Sequence, residues 1–262
     1  MRLVTFDRRG HRRLGAILGG EVVDLPDAVG HPAFPTTLEA LVAASGGTVM
    51  DAASAALERD DAMACVVPDA RILTPLFPTS LLSPGALDVE RRVVGPEQEV
   101  PWPEGAAWLD YEPKVAALLG REGRAVEPDG AGELIFGYTL VNDWAARRAD
   151  GDPMPTADGL PIAIGPCIVT ADELDPQIMS VEVKIDERAL VKGNLNGAAR
   201  NLMDVISGAS HFGELERGDA FALAPFPGAG EDSSRQLWPG ALIELGAEGI
   251  GTLRNRLGLR LR

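Results

Sequence analysis

Two short stretches carry the residue types that could do chemistry. Asp110-Tyr111-Glu112-Pro113-Lys114 sets a carboxylate and an ammonium two positions apart, and Asn142-Asp143-Trp144 follows further along the chain. In an extended strand, residues two apart project from the same face, so Glu112 and Lys114 stand together while Tyr111 and Pro113 turn away. A Glu-x-Glu at this spacing is half a site for a hard divalent cation such as Mg²⁺, which takes oxygen ligands. Here the second carboxylate is replaced by Lys114. A surface strand with an ion pair along one face accounts for the same spacing, because such pairs are common and individually weak. Asp143 closes an apolar run and precedes Trp144-Ala145-Ala146-Arg147-Arg148, which puts a carboxylate at a strand end with two cations behind it. Both functional and capping carboxylates occur at such positions, so residue types alone leave the two readings open.

The elements that must position these residues are mostly strands. Apolar runs from Leu3 to Phe6, Leu14 to Leu18 and Val22 to Leu25 alternate with turn residues, and helical patterns follow at Leu38 to Ala43 and Ala52 to Leu57. This gives a small α/β unit over residues 1–70. Residues 74–108 are rich in Pro and Gly and read as loop-dominated. Beyond them come strand patterns at Val115 to Leu119, Tyr138 to Val141, Cys167 to Thr170, Val181 to Ile185, Ala220 to Leu223, Ala241 to Leu245 and Gly249 to Leu253. One helix interrupts them at Ala198 to Ser207, with Leu202, Val205 and Ile206 on one face. Many strands with few helices predict an α+β, β-rich class, with a roll or sandwich over residues 71–262.

Bulk composition narrows the function. A hydrophobic fraction of 45% provides for a core, and a formal charge of −15 argues against nucleic acid or an anionic membrane as partner. Cys65 and Cys167 lie far apart without metal-ligand spacing, and no leader-like or membrane-spanning apolar run is present, so a reducing cytoplasm is the expectation. The chain has three lysines, Lys114, Lys184 and Lys192, which makes each informative. Of the histidines, His11, His31 and His211, the last is expected in a loop after the Ala198 helix. Tyr138 and Trp144 read as core. The Gly228-Ala229-Gly230 stretch lacks the following Lys and Ser or Thr of a phosphate loop.

A series of motifs then adds to these readings. In order, they are Gly95-Pro96-Glu97-Gln98-Glu99-Val100-Pro101, Trp108 to Glu112, Leu119-Gly120-Arg121-Glu122-Gly123-Arg124 and Gly137 to Trp144. Ile164 to Leu174, Lys192-Gly193-Asn194-Leu195, Arg217-Gly218-Asp219 and Gly249 to Asn255 complete it. Together they resemble the fumarylacetoacetate hydrolase family. The resemblance implies a mixed β-roll behind a small N-terminal domain, commonly a homodimer. It also implies a Mg²⁺, Mn²⁺ or Ca²⁺ ion held by carboxylates, and chemistry on 2-oxo or 1,3-dicarbonyl acids in which the metal polarises the substrate.

Carried over position by position, Glu112 and Asp143 match family metal ligands, and Arg147 matches the arginine of the family's Asn-Asp-x-x-Ala-Arg motif. Lys114 stands where the family has a second glutamate, and Arg148 where an aspartate follows the arginine. Gly85 and Arg92 fall at the positions of a ligand aspartate and a base histidine. Asp158 is nearest to a missing lysine, and Ala222 to Gly228 replaces a Gly-Thr motif. The expectation is an enzyme with Lys114, Glu112, Asp143 and Arg147 as working residues and a small-molecule acid as substrate. No cofactor is expected, and at most weak Mg²⁺ or Mn²⁺ binding. The alternative is a catalytically silent relative that binds a ligand or partner.

Overall fold

The computed structural model describes residues 1–82, 92–154, 160–176, 178–194, 202–226 and 236–260. The three N-terminal apolar runs are strands β1 (Arg2–Arg8), β2 (His11–Leu18) and β3 (Glu21–Asp24). Three helices follow: α1 (Leu25–Val29), α2 (Leu38–Ala43) and α3 (Gly47–Glu58). The first starts where the Asp24 carboxylate accepts from Asp27 N with proline in the first turn, and stops at Gly30 in the left-handed region. The second starts where Thr37 Oγ1 accepts from Ala40 N. Short strands β4 (Leu81–Leu82), β5 (Val93–Val94) and β6 (Glu99–Val100) lead into the long hairpin of β7 (Trp108–Leu119) and β8 (Ile135–Arg147), with α4 (Pro128–Ala131) between its arms. The remaining elements are β9 (Ile162–Thr170), β10 (Ser180–Ile185), β11 (Arg188–Asn194), α5 (Leu202–Phe212), β12 (Ala220–Pro225), β13 (Leu242–Ala247) and β14 (Gly251–Leu257).

Among the described residues these strands form two mixed sheets, so the α+β, β-rich expectation is met. The larger has nine strands in the order β3-β2-β1-β9-β8-β7-β12-β4, with β5 added beside β9; the smaller runs β11-β10-β13-β14-β6. The first unit does not stand beside the roll but continues its large sheet, since β1 pairs antiparallel with β9 through Arg2↔Val169 and Leu3↔Ile168. Tyr111, Val115, Leu140 and Trp144 on one face of the hairpin join Val181, Val183, Ile243, Leu245 and Leu253 of the smaller sheet in the main core. On the opposite face, Leu118, Phe136 and Ile168 pack with Leu3, Leu14, Leu38 and Leu41 of the first unit. The helices therefore cover the far end of that face. Glu112, Lys114 and Asp143 lie on the same face, nearer the other end of the hairpin.

Two details of the chain support this frame. Asn255, 2% exposed, donates from Nδ2 to Gly95 O and Gln98 O at 2.9 Å each, fastening β14 to the turn before β6. Pro113 sits inside a central strand, a position proline normally avoids. Its carbonyl accepts from Phe226 N at 3.0 Å, beside the end of β12, so the missing N–H falls where that ladder runs out. Helix α5 extends beyond the sequence expectation. The first part of the expected span, from Ala198, lies outside the described residues, and the helix continues to Phe212 through Gly208. Leu202 and Ile206 dock into the core, and Ser210 Oγ donates to Ser207 O and accepts from Val126 N. His211 is thus in the last helical turn and not in a loop, with Nδ1 2.9 Å from Ser207 O. No helix among the described residues is long and apolar enough to cross a membrane.

Candidate functional site

The site follows from strand register. Glu112 lies directly opposite Asp143, and Lys114 opposite Val141, two residue pairs and so one row of the same face along. Lys114 and Asp143 are therefore diagonal neighbours on one face, within reach for a long side chain. Lys114 Nζ lies 3.0 Å from Glu112 Oε2 and 3.5 Å from Asp143 Oδ2. The ammonium is nearly buried and Asp143 is 13% exposed, whereas Glu112 is 51% exposed and meets solvent. Two carboxylates and one ammonium leave the trio one unit negative, with the positive charge innermost.

The fourth residue is placed differently. Arg147 shares the face but is opposite Trp108, four residue pairs (two rows of that face) from the Glu112–Asp143 row and so about 13 Å along the strands. Its Nη2 is 3.8 Å from Asp110 Oδ2, and Asp110 occupies the row between. The face thus reads Arg147, Asp110, Glu112 with Asp143, then Lys114. Alternation in Asp110-x-Glu112-x-Lys114 already signals that Asp110 belongs to this face; its pairing with Arg147 depends on a cross-strand register that the sequence does not display.

Beyond Lys114 the face turns apolar. Ala116, Val141, Ile162, Ile164 and Ala222 form a small cluster of their own, covered by Leu81 and Val93. Ile162 is opposite Asp143 and Ile164 opposite Val141, so the charged trio borders this cluster directly. One polar atom interrupts it. Thr139, opposite Ala116 and 4% exposed, has an Oγ1 without a hydrogen-bond partner among the described residues. Sequence reasoning passed over Thr139; its odd-numbered alternation with Val141 and Asp143 was the available signal.

The other positions singled out in the sequence fall away from the trio or outside the described residues. Arg92 is exposed, and its carbonyl accepts from Ile162 N at 2.8 Å, which brings its backbone beside the row that holds Asp143. Arg148 is exposed in the turn after β8. Tyr138 and Trp144 are buried in the main core, as expected, and burial pushes the Tyr138 hydroxyl above its ordinary value. Gly85, Asp158 and the Gly228-Ala229-Gly230 stretch lie outside the described residues.

Comparison with known proteins matches residues 78–258 to the family described as fumarylacetoacetate (FAA) hydrolase, C-terminal. Among curated proteins, a 2,4-didehydro-3-deoxy-L-rhamnonate hydrolase of Sphingomonas sp. (strain SKA58) is 31% identical over 172 residues, 62% of this chain and 60% of that protein. The match thus spans less than two thirds of that relative's length. Among solved structures, the fumarylacetoacetate hydrolase from psychrophilic Exiguobacterium antarcticum superimposes with a TM-score of 0.80 at 23% identity, covering 99% of this chain and 100% of that one. A maleylpyruvate hydrolase from Sphingobium sp. SYK-6, solved with manganese(II) ion and pyruvate, gives 0.76 at 22% identity, with both chains covered to 100%.

Proposed function

The chain belongs to the fumarylacetoacetate hydrolase family, and we propose that it acts on a carbonyl-containing acid of the 2-oxo or 1,3-dicarbonyl type, with the Lys114 ammonium in the role a divalent cation would otherwise fill. The observation that carries this reading is the position of Nζ, 3.0 Å and 3.5 Å from the two carboxylates that a metal ion would need. Among the described residues the donor set does not fit a divalent ion. Only Glu112 and Asp143 supply oxygen there among the described residues, no cluster of three His, Cys, Asp or Glu forms, and an added ion would face a fixed positive charge. No step is therefore routed through a metal.

The arrangement supports a proton-transfer chemistry. When a proton leaves the carbon next to a carbonyl, its electron pair moves onto the carbonyl oxygen as an enolate. A fixed cation facing that oxygen stabilises the developing charge without reorganising. Lys114 supplies the cation, and Asp143, more deeply placed, holds it. Glu112, the one member open to solvent, is the group available to accept the proton and return it. Return to a different carbon is an isomerisation. In a 1,3-dicarbonyl acid the same parts serve C–C hydrolysis: water gives a proton to Glu112 and adds to the carbonyl remote from Lys114, the bond from that carbon to the central carbon breaks with its electron pair passing to the enolate held at Lys114, and the proton returns to the central carbon.

A second reading, a binding protein without turnover, is favoured by Arg147. Its ion pair with Asp110, two rows from the trio, leaves Lys114 as the one cation beside both Glu112 and Asp143 among the described residues. Screening 2-oxo and 1,3-dicarbonyl acids in excess chelator separates the two. The proposal expects turnover that survives chelation and is lost in Lys114→Met; binding without turnover selects the second reading. Tight stoichiometric Mg²⁺ or Mn²⁺ uptake by the unaltered protein, measured calorimetrically, overturns the metal-independent role. Lys114→Glu is expected to create that uptake.

A further inference from the structure

The strands that hold the trio at one end border a separate cavity at the other. Gly120, just past the end of β7 and six positions from Lys114, so about 20 Å along the strand direction, opens into a cleft of about 330 Å³ between helix α3 and the large sheet. That volume falls in the range of small-ligand sites, roughly 300–1,000 Å³. Phe136 at the start of β8 and Thr170 at the end of β9 continue the wall on the sheet side, and Met50 and Ser54 of α3 supply the other. The joint beside the cleft is tight: a side chain at position 120 would meet Phe136 Cβ at 2.9 Å, and Ser45 Oγ donates to Gly120 O at 3.1 Å. Both units are thus fastened together at a space that neither fills. The wall is apolar where Leu134, Ile135 and Phe136 are buried, whereas the exposed lining residues are charged: Asp51 on α3, Glu133 before β8, Asp172 after β9 and Arg121. None of these four is ion-paired among the described residues, and the amino group of Met1 beside them is already neutralised by Glu173 at 2.8 Å. Three carboxylates and one guanidinium leave the mouth two units negative.

From this cavity and its charge we infer that the cleft is a second ligand site, independent of the trio, for a linear aliphatic ammonium ion that carries two or more charges, of the diamine or polyamine class. The carboxylates come from three separate elements and, among the described residues, do not gather into a group that could hold a metal ion. A point cation therefore meets one of them at a time, for the small gain of an exposed ion pair. A cation whose charges stand several ångströms apart meets two at once. Its methylene stem lies against Met50 and Phe136, where apolar wall is available. An anion would face three carboxylates for one guanidinium, and a neutral ligand would leave the charged mouth unanswered. Arg121 opposes the cation and limits its affinity.

The test is calorimetry on the full chain at low salt with 1,5-diaminopentane, pentan-1-amine, pentane-1,5-diol and glutarate, while methyl NMR of Met50 and Ile135 follows where each ligand sits. The diamine is expected to bind one to one and to shift both methyls. The monoamine should bind about twofold to fivefold more weakly, the worth of one exposed ion pair, and the diol and glutarate should not bind. Asp51→Asn/Glu133→Gln/Asp172→Asn should weaken the diamine at least about tenfold, and Arg121→Gln should strengthen it about twofold to fivefold. A chain with a formal charge of −15 also attracts cations diffusely, so Glu21→Gln/Glu104→Gln/Glu187→Gln, which removes three exposed carboxylates outside the cleft, serves as the control and should change the affinity by less than about twofold. Lys114→Met should leave diamine binding unchanged. Equal affinities for diamine and monoamine, cleft methyls that do not move, or equal losses in the two triple variants overturn the inference, and a loss in Lys114→Met overturns the independence of the two sites.

Discussion

Replacing Lys114 by methionine isolates the electrostatic role of the ammonium, because methionine retains most of the aliphatic stem. The change leaves Glu112 and Asp143 as a directly opposed pair of carboxylates on one sheet face. Side chains in such pairs stand about 5 Å apart at Cβ. Two like charges at about 5 Å repel by roughly 3 kcal/mol at an effective dielectric of about 20. Glu112 is 51% exposed and can swing towards water, so we reduce this to about 1–2 kcal/mol. For a chain of this size that lowers the melting temperature by about 2–8 °C. Thermal melts at neutral pH, with Glu112→Gln/Lys114→Met as the second arm, provide the assay. The double substitution should recover most of the loss at neutral pH. If Lys114→Met melts within error of the parent, or if the double substitution recovers nothing, the ammonium does not hold these carboxylates together and the argument for its cationic role is wrong.

Two further perturbations probe the frame. Asn255→Ala deletes both 2.9 Å bonds to the Gly95 and Gln98 carbonyls and should cost about 1–3 kcal/mol in denaturant unfolding; an unchanged midpoint would mean that the turn before β6 is held by other contacts. The Arg8 guanidinium, hydrogen-bonded to Asp27 at 2.7 Å, holds that carboxyl below the ordinary aspartate range. A depressed value means that its stabilisation is present above the unfolded value of about 3.9 and is lost as pH falls through the lower folded value. With Asp27 44% exposed, the effect is under about 1 kcal/mol. Asp27→Asn should therefore destabilise the protein at neutral pH and converge with the parent in acid, and a difference that grows towards low pH would contradict the assignment.

The strands were legible where apolar runs were uninterrupted. Leu3 to Phe6, Val22 to Leu25 and Val181 to Ile185 each coincide with a strand for most or all of their length, and Leu38 to Ala43 matches its helix in full. Extents were less legible where one residue type carries a strong local rule that packing overrides. The apolar pattern marks a strand at Val115 to Leu119, yet β7 begins at Trp108 and passes through Pro113, whose carbonyl pairs at the end of a ladder where the absent donor costs little. The apolar pattern ends the helix at Ser207, yet docking of Ile206 and the Ser207–Ser210 bond carry α5 past Gly208 to Phe212. In the site, parity placed Glu112 and Lys114 together, and the structure adds Asp143 through register. Arg147 was grouped with them by motif, but cross-strand pairing places it two rows away beside Asp110. The buried Thr139 hydroxyl was invisible because a threonine within an apolar strand is ordinary until its neighbours are known.

The pairing of β1 with β9 sets a limit on how this protein can be cut. The outer edge of β9 is shared, with Val93 and Val94 along its first half and Arg2 and Leu3 along its second. A fragment beginning near residue 71 would leave the second half of that edge with unpaired amides and would bare Leu118, Phe136 and Ile168 to water. Such a fragment would recruit other strands, its own copies first. Work on the isolated roll therefore needs the N-terminal strand supplied, either by co-expression or by rejoining the segment through a new connection.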